Sequence, residues 1–487
     1  MTDLSRRSFH KLALGSAAVA AMPAGLSLAT ASPAFAATSS AVVPIDTTLL
    51  VKPTDSISTL AATVLANSNK YGATTWWNTT KNYDAQTGAY LDFGGTAEAN
   101  IRYPASEASG LATALATGVY SSTLTGVSTT DATAITVRLV SSLAYRHLVN
   151  YGTGGWGNGW QTALWASFTG AAGWLVWDSL TSTDAENVRK MVEYEANRFL
   201  NYTASYYRKV DGTYNYPGDT QGESIAWNTR ILGLAAAMMP NHANHSQWMH
   251  MLALMALQAR ATPMDVGANA SKVINGMTLG TVLGGTNINS DFTVVNHDIV
   301  HPDYMMACYA TTLSSGLTLS LANQTIPYAL TRSFDRGYDA FVDLSFTSGT
   351  MPYDDPNLAG KTIASPGGAI YAGTSTDPAD TSDIYYPMGN DWGTNRRMQF
   401  CVMDVFANSF GLDTLASVKS DTWATAHLTR AKKMQERSTD RRTYTSAGED
   451  TYGGREEWVA AYAAWAYLAR VVTKSGLYKV SAINTVY

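Results

Sequence analysis

The densest run of reactive side chains is Asn296-His297-Asp298-Ile299-Val300-His301-Pro302-Asp303-Tyr304, where two of the eight histidines fall within five residues, flanked by acids and a tyrosine. Histidine and tyrosine exchange protons with reacting atoms, so general acid–base chemistry is one reading. A metal site is a second, because His297 and His301 stand at i, i+4. Pro302 disfavours helical geometry at His301 and no H-E-x-x-H pattern is present, so no metal and no cofactor is assigned. The structural alternative is a helix-entry loop in which Asp303 caps the next helix and the histidines bond backbone groups.

Three other segments carry more polar and aromatic residues than a core needs. Gly154-Gly155-Trp156-Gly157-Asn158-Gly159-Trp160-Gln161 combines backbone that can approach a ligand with two indole faces able to stack on sugar rings. Asn158 and Gln161 offer bonds to hydroxyls; the alternative is a turn before a helix with core tryptophans. Gly218-Asp219-Thr220-Gln221-Gly222-Glu223-Ser224-Ile225-Ala226-Trp227-Asn228-Thr229-Arg230 opens a helix, and Glu223 and Trp227 share a face at i, i+4. Capping explains Asp219, Thr220 or Ser224, but Asn228 inside a helix among apolar residues needs partners. Tyr385-Tyr386-Pro387-Met388-Gly389-Asn390-Asp391-Trp392-Gly393-Thr394-Asn395-Arg396-Arg397 brings fixed positive charge into a chain with little of it. Its arginines present planar forks that match a carboxylate, or form a salt-bridged pair in a surface loop. Tyr452-Gly453-Gly454-Arg455-Glu456-Glu457-Trp458 is a weaker fifth candidate.

Helices must position these segments. Helical patterns fall near 56–69, 105–118, 131–150, 160–179, 184–202, 222–239, 245–260, 303–322, 326–345, 393–411, 421–437 and 454–474. Thr183-Asp184 and Asp421 read as start signals and Pro240 as a stop. Between them run long Gly-, Thr-, Asn- and Asp-rich stretches (70–104, 203–221, 263–302, 346–392, 438–453), with short β-like pieces such as 292–295. Loops of this length in a compact domain usually carry function. The pattern predicts an all-α-dominated fold, an (α/α) toroid of paired antiparallel helices with long loops on one face and minor β structure. A helical domain with a small β appendage is the alternative.

The chain has 487 residues, 46% apolar, which is ample for a core. Only 15% are charged, against about 25% in most soluble domains, while 27 tyrosines and 13 tryptophans raise the aromatic share to 11%. With a net charge of −5 and no basic stretch, nucleic acid is excluded as a partner. Ser5-Arg6-Arg7-Ser8-Phe9-His10-Lys11, an apolar run from Leu12 to about Thr30, and Ala34-Phe35-Ala36 read as a twin-arginine signal peptide over 1–36, removed by cleavage, rather than a membrane anchor. Its loss takes away Arg6, Arg7 and Lys11 against Asp3, leaving −7. The expectation is a bacterial protein, secreted or periplasmic, without membrane contact after processing. An extended lead-in (37–55) precedes a single catalytic domain (56–487). Cys308 and Cys401 are expected as buried thiols rather than a disulfide.

The Gly-Asp-x-x-x-Glu-x-x-Ala-Trp-Asn segment followed by Asn-His-Asp-x-x-His-Pro-Asp-Tyr resembles secreted (α/α)-toroid polysaccharide lyases, closest to polysaccharide lyase family 38 (glucuronan and alginate lyases). Hyaluronate, chondroitin and heparinase-like lyases are more remote relatives. The likeness covers about 130–470. It implies β-elimination of a uronic-acid polysaccharide, with Asn228 matching a carboxylate neutraliser, His297 a base or second neutraliser, and Tyr304 the tyrosine acid/base. His301, Glu223 and Arg397 support them, and Tyr386 stays open as the acid/base. Trp156, Asn158, Trp160, Gln161, Trp227, Asn390, Trp392 and Arg396 complete the expected substrate contacts. Two other readings remain. One is a glycoside hydrolase using two carboxyls from Asp219, Glu223, Asp298, Asp303, Asp391, Glu456 and Glu457. The other is a non-catalytic glycan-binding protein.

Overall fold

The computed structural model describes residues 41–393, 397–446, 448–449 and 453–487; the expected signal peptide and Arg396 lie outside the described residues. Helices dominate, and the strands form three two-residue antiparallel ladders. The principal helices are α1 (Ser56–Tyr71), α2 (Glu98–Ala116), α3 (Thr129–Tyr145), α4 (Thr162–Leu175), α5 (Ser182–Asn197), α6 (Gly222–Met238), α7 (His245–Ala259), α8 (Pro302–Met306), α9 (Thr312–Leu321), α10 (Phe334–Val342), α11 (Met398–Phe410), α12 (Ser420–Glu436) and α13 (Arg455–Lys474).

Composition sorts them into two kinds. In α4 and α9 nearly every residue is buried, whichever way it points, as expected of helices apolar all round. In α5 the buried positions are Asp184, Val188, Met191, Val192, Glu195 and Ala196, a single stripe at three- and four-residue spacing. The enclosed helices contact one another in sequence: α2 packs on α4, α4 on α6, α6 on α9, α9 on α13, and α13 on α2, with α11 against α13. The half-exposed helices lie against them, α3 on α2 and α4, α5 on α4 and α6, α7 on α6, and α12 on α11. The first and last of these helices also meet, because α1 packs on both α12 and α13.

Starts are set by side chains that accept orphan backbone N–H groups. Asp55 accepts from Ser58 N (3.0 Å) and Ser128 from Asp131 N (3.1 Å). Thr181, not Thr183, caps α5, accepting from Asp184 N (3.1 Å). Asp421 lies inside the first turn of α12, and Asp413 takes the Ser420 N–H instead (3.0 Å). Asp303 is likewise not a cap: His301 occupies that position, with Pro302 first in α8. A π-helical turn, Ala307–Thr311, joins α8 to α9, and another, Gly72–Thr80, extends α1. Such turns often mark functional sites. Cys308 and Cys401 are buried free thiols. Among the described residues no helix is long and apolar enough to cross a membrane.

Candidate active site

The histidine segment folds as a hairpin before it becomes a helix. Strands β1 (Val295–Asn296) and β2 (Ile299–Val300) pair antiparallel, so their loop has only two residues, His297 and Asp298. Both have left-handed φ, +51° and +60°, the requirement of a type I′ turn, a conformation glycine or asparagine adopts more cheaply. Local contacts hold it. Asp298 N donates to Gly218 O (2.9 Å), Asn357 Nδ2 to Asp298 Oδ1 (2.8 Å), and Lys361 Nζ to Asp298 O (2.7 Å). Gly218, itself at φ +75°, leaves room, since a Cβ there would sit 1.9 Å from Asp298 Oδ1.

The turn aims His297 at two groups. Its Nδ1 lies 2.7 Å from Asp391 Oδ2, and its Nε2 lies 3.3 Å from the Tyr304 hydroxyl. His301, fully buried, places Nε2 3.2 Å from the other carboxylate oxygen, Asp391 Oδ1. Burial opposes the charge of Asp391, but hydrogen bonds from both histidines outweigh it and hold the carboxyl well below its ordinary range. Burial lowers the basicity of His301, partly offset by Asp391. In the tautomer that donates from Nδ1 to Asp391, His297 offers Nε2 as an acceptor for the Tyr304 hydroxyl. The order carboxylate–imidazole–hydroxyl is that of a hydrolase triad, with a phenol in place of serine.

Asp391 is delivered by a loop fastened to the same helix. Asn390 Nδ2 donates to Asp303 Oδ2 (3.0 Å), Trp392 N to Asn390 Oδ1 (2.9 Å), Gln399 Nε2 bonds Asp303 Oδ1, and Arg455 bonds Trp392 O. The Trp392 ring stands 5.4 Å from that of His297 and 6.5 Å from that of Tyr304. Tyr304 is also 6.4 Å from the ring of Trp227, which in turn stands 5.2 Å from that of Trp160. Four rings, Trp160, Trp227, Tyr304 and Trp392, thus follow one another, with the tyrosine inside the row.

Helix α6 adds two buried oxygens that have no hydrogen-bond partner among the described residues, Glu223 Oε2 and Asn228 Oδ1. Burial, reinforced by the nearby charge of Asp219, raises the Glu223 carboxyl to about 8. At neutral pH Glu223 is therefore a neutral donor. Asp219 is also raised, by burial, against the opposing pull of His297, and it accepts from Asn296 Nδ2 (2.9 Å).

Of the glycine-rich loop, Trp160 is open to solvent (46%) and its Nε1 donates to Ser224 Oγ (3.2 Å). Asn158 is exposed, and its backbone N–H donates to Glu195 Oε1 (2.9 Å). That buried glutamate also faces His147 Nε2 at 3.1 Å and takes Thr162 Oγ1 (3.1 Å), and so fastens the loop. Trp156 is not a sugar platform: it is buried, and its Nε1 donates to Leu143 O (2.8 Å). Gln161 is buried as well, accepting from Arg102 (3.1 Å). Arg397 offers no open fork. Its guanidinium is buried in an ion pair with Asp383 (3.0 Å), which Arg430 shares (2.8 Å). Tyr386 is buried with its ring 6.4 Å from Phe400, so the hydroxyl next to His297 is that of Tyr304.

Two contributors escaped the sequence reading. Asp391 figured only as one carboxyl among several, because 94 residues separate it from His297; its place between Gly389 and Gly393 was the available signal. Arg102 sits 3.8 Å over the ring of Trp458 and 5.9 Å from that of Trp227, in a narrow cleft also lined by Thr311 and Tyr462. No protein-family model matches the chain, and no curated protein matches it in sequence.

Proposed function

We propose that the chain is a polysaccharide lyase that cleaves a uronic-acid polymer by β-elimination on an (α/α) toroid, the enclosed helices forming the inner ring. The observation that carries this reading is the Asp391–His297–Tyr304 relay, with Trp227, on the helix that also carries Glu223 and Asn228, 6.4 Å from Tyr304. Elimination begins with removal of the proton on the carbon next to the substrate carboxylate. Tyr304 takes it while its own proton passes to His297 Nε2, and Asp391 stabilises the resulting imidazolium. Negative charge moves onto the carboxylate, where the Glu223 hydroxyl and the Asn228 amide lower its energy. The electron pair then forms the carbon–carbon double bond, the glycosidic bond breaks, and Tyr304 returns the proton to the leaving oxygen. Trp160, Trp227 and Trp392 hold sugar rings near Tyr304. An extracellular polymer as substrate accords with the export signal read at the N-terminus.

The test is incubation with glucuronan, alginate, hyaluronan and a neutral glucan while following ultraviolet absorbance. A rise with a uronate polymer, lost in Tyr304→Phe with binding retained, is the expected result. New reducing ends without absorbance mean hydrolysis, and binding without product means a glycan-binding protein; either outcome ends the lyase reading.

A further inference from the structure

We infer that His297 Nδ1, His301 Nε2 and an Asp391 oxygen form a three-ligand site for a divalent transition ion of the zinc class. These three ligand atoms lie within 4.8 Å of one another. The two imidazoles approach the same carboxylate through its separate oxygens, at 2.7 and 3.2 Å, so small side-chain rotations bring all three ligands onto one ion. Two imidazoles with one carboxylate suit zinc, and cobalt or manganese less tightly, and do not suit calcium, which prefers oxygen ligands. His301 is fully buried and fixed, whereas His297 (37% exposed) and Asp391 (51%) border solvent. The fourth position is therefore open, as in zinc sites that act on substrates rather than hold a fold together.

The ion takes the place of the protons now lying between the histidines and Asp391. Each ring proton moves to the opposite nitrogen. For His297 that is Nε2, which already has an acceptor, the Tyr304 oxygen at 3.3 Å. For His301 it is Nδ1, which is buried and has no partner among the described residues. Metal-binding histidines usually have such an outer partner, and its loss weakens affinity. The ion is accordingly expected to exchange and to be stripped by a chelator. On the lyase reading, on which this clause rests, the ion and the relay exclude one another, because the ion leaves a proton on the Nε2 that must accept the one from Tyr304; bound zinc therefore stops elimination, and the ultraviolet assay is run on the stripped chain.

The experiment uses the full chain, stripped with EDTA, dialysed, and titrated with zinc chloride by calorimetry, with bound metal counted by mass spectrometry. One zinc per chain is expected, weaker in Asp391→Asn and in the solvent-bordering His297→Ala by at least the roughly 10- to 100-fold that loss of an outer partner alone costs, with melting curves confirming that both variants fold. No zinc bound by the wild-type chain, or unchanged affinity in both variants, overturns the site. The ultraviolet assay separates the two claims. Zinc binding without unsaturated product upholds the site and removes the lyase reading, whereas unsaturated product without zinc binding removes the site and keeps the reading.

Discussion

Replacing Glu223 by glutamine tests the electrostatics of the site in two ways at once. The carboxyl is 5% exposed and raised from an ordinary 4.5 to about 8, by burial first and by the charge of Asp219 second. Between those values the folded chain keeps a proton that the unfolded chain has released. The stability that this group contributes is therefore complete below the ordinary value and is lost as pH rises toward 8. The slope is about 1.4 kcal/mol per pH unit, or about 5 kcal/mol over the whole window. Glutamine has nearly the same shape and does not titrate. Urea unfolding at several pH values across the window should show the Glu223→Gln chain gaining on the wild type by that amount, with no further gain once Glu223 is ionised. Turnover adds an independent reading. Above about pH 8 the wild type should lose about tenfold per unit, because an ionised Glu223 repels the substrate carboxylate, and the glutamine variant should lack that alkaline limb. Parallel stability profiles, within about 1 kcal/mol throughout, would refute the burial argument. An alkaline limb that survives the substitution would refute the role of Glu223 in binding.

Three further outcomes are expected. Trp160→Ala should raise KM several-fold, the loss of about 0.5–1.5 kcal/mol of ring contact, with kcat nearly constant; steady-state kinetics on a uronate polymer checks it, and a fall confined to kcat counts against a binding platform. Gly218→Ala places a methyl 1.9 Å from Asp298 Oδ1 at a backbone φ of +75°, so it should cost about 1–3 kcal/mol and displace His297, lowering both Tm and turnover. Arg397→Met leaves Asp383 buried with Arg430 alone, and about 3–5 kcal/mol should be lost in urea unfolding; a cost near zero would show that the ion pair is dispensable.

The helical content was legible in the sequence because each helix had either a stripe or an all-apolar run, and most predicted spans agree with the observed helices to within a few residues. Helix α2 was the main error. Its first turns, from Glu98, were read as loop, yet the helix runs through Pro104. The predicted 326–345 helix is a short turn, Tyr328–Leu330, followed by α10. In the site, the histidines and Tyr304 stood out by density in sequence. What could not be read was how they meet. The sequence argues against a metal because Pro302 disfavours helical geometry at His301 and no H-E-x-x-H pattern is present. The structure obeys that rule and brings the two rings to one carboxylate through a hairpin turn instead. Arg397 and Trp156 were misplaced for a related reason: residue type announces what a side chain can bind, while burial decides whether it is already engaged, and the partners Asp383 and Leu143 give no local signal.

The meeting of α1 with α12 and α13 bears on how the protein is made. Helix α1 precedes by hundreds of residues the groups that satisfy its neighbourhood. Gln435 Nε2 donates to Val64 O (3.1 Å), Arg470 to Asp55 Oδ1 (2.9 Å), Ser475 Oγ accepts from Val51 N (2.8 Å), and Trp76 Nε1 donates to Glu457 (2.9 Å). The loop-closure entropy of such contacts is met only once the chain has been made through α13. During synthesis α1 therefore waits with its apolar face uncovered, and folding completes in a late step in which α12 and α13 dock against it. Long-range closure of this kind makes folding slow and the waiting intermediate prone to aggregation, so the yield of folded protein should depend on chaperone supply more than on the strength of any one contact.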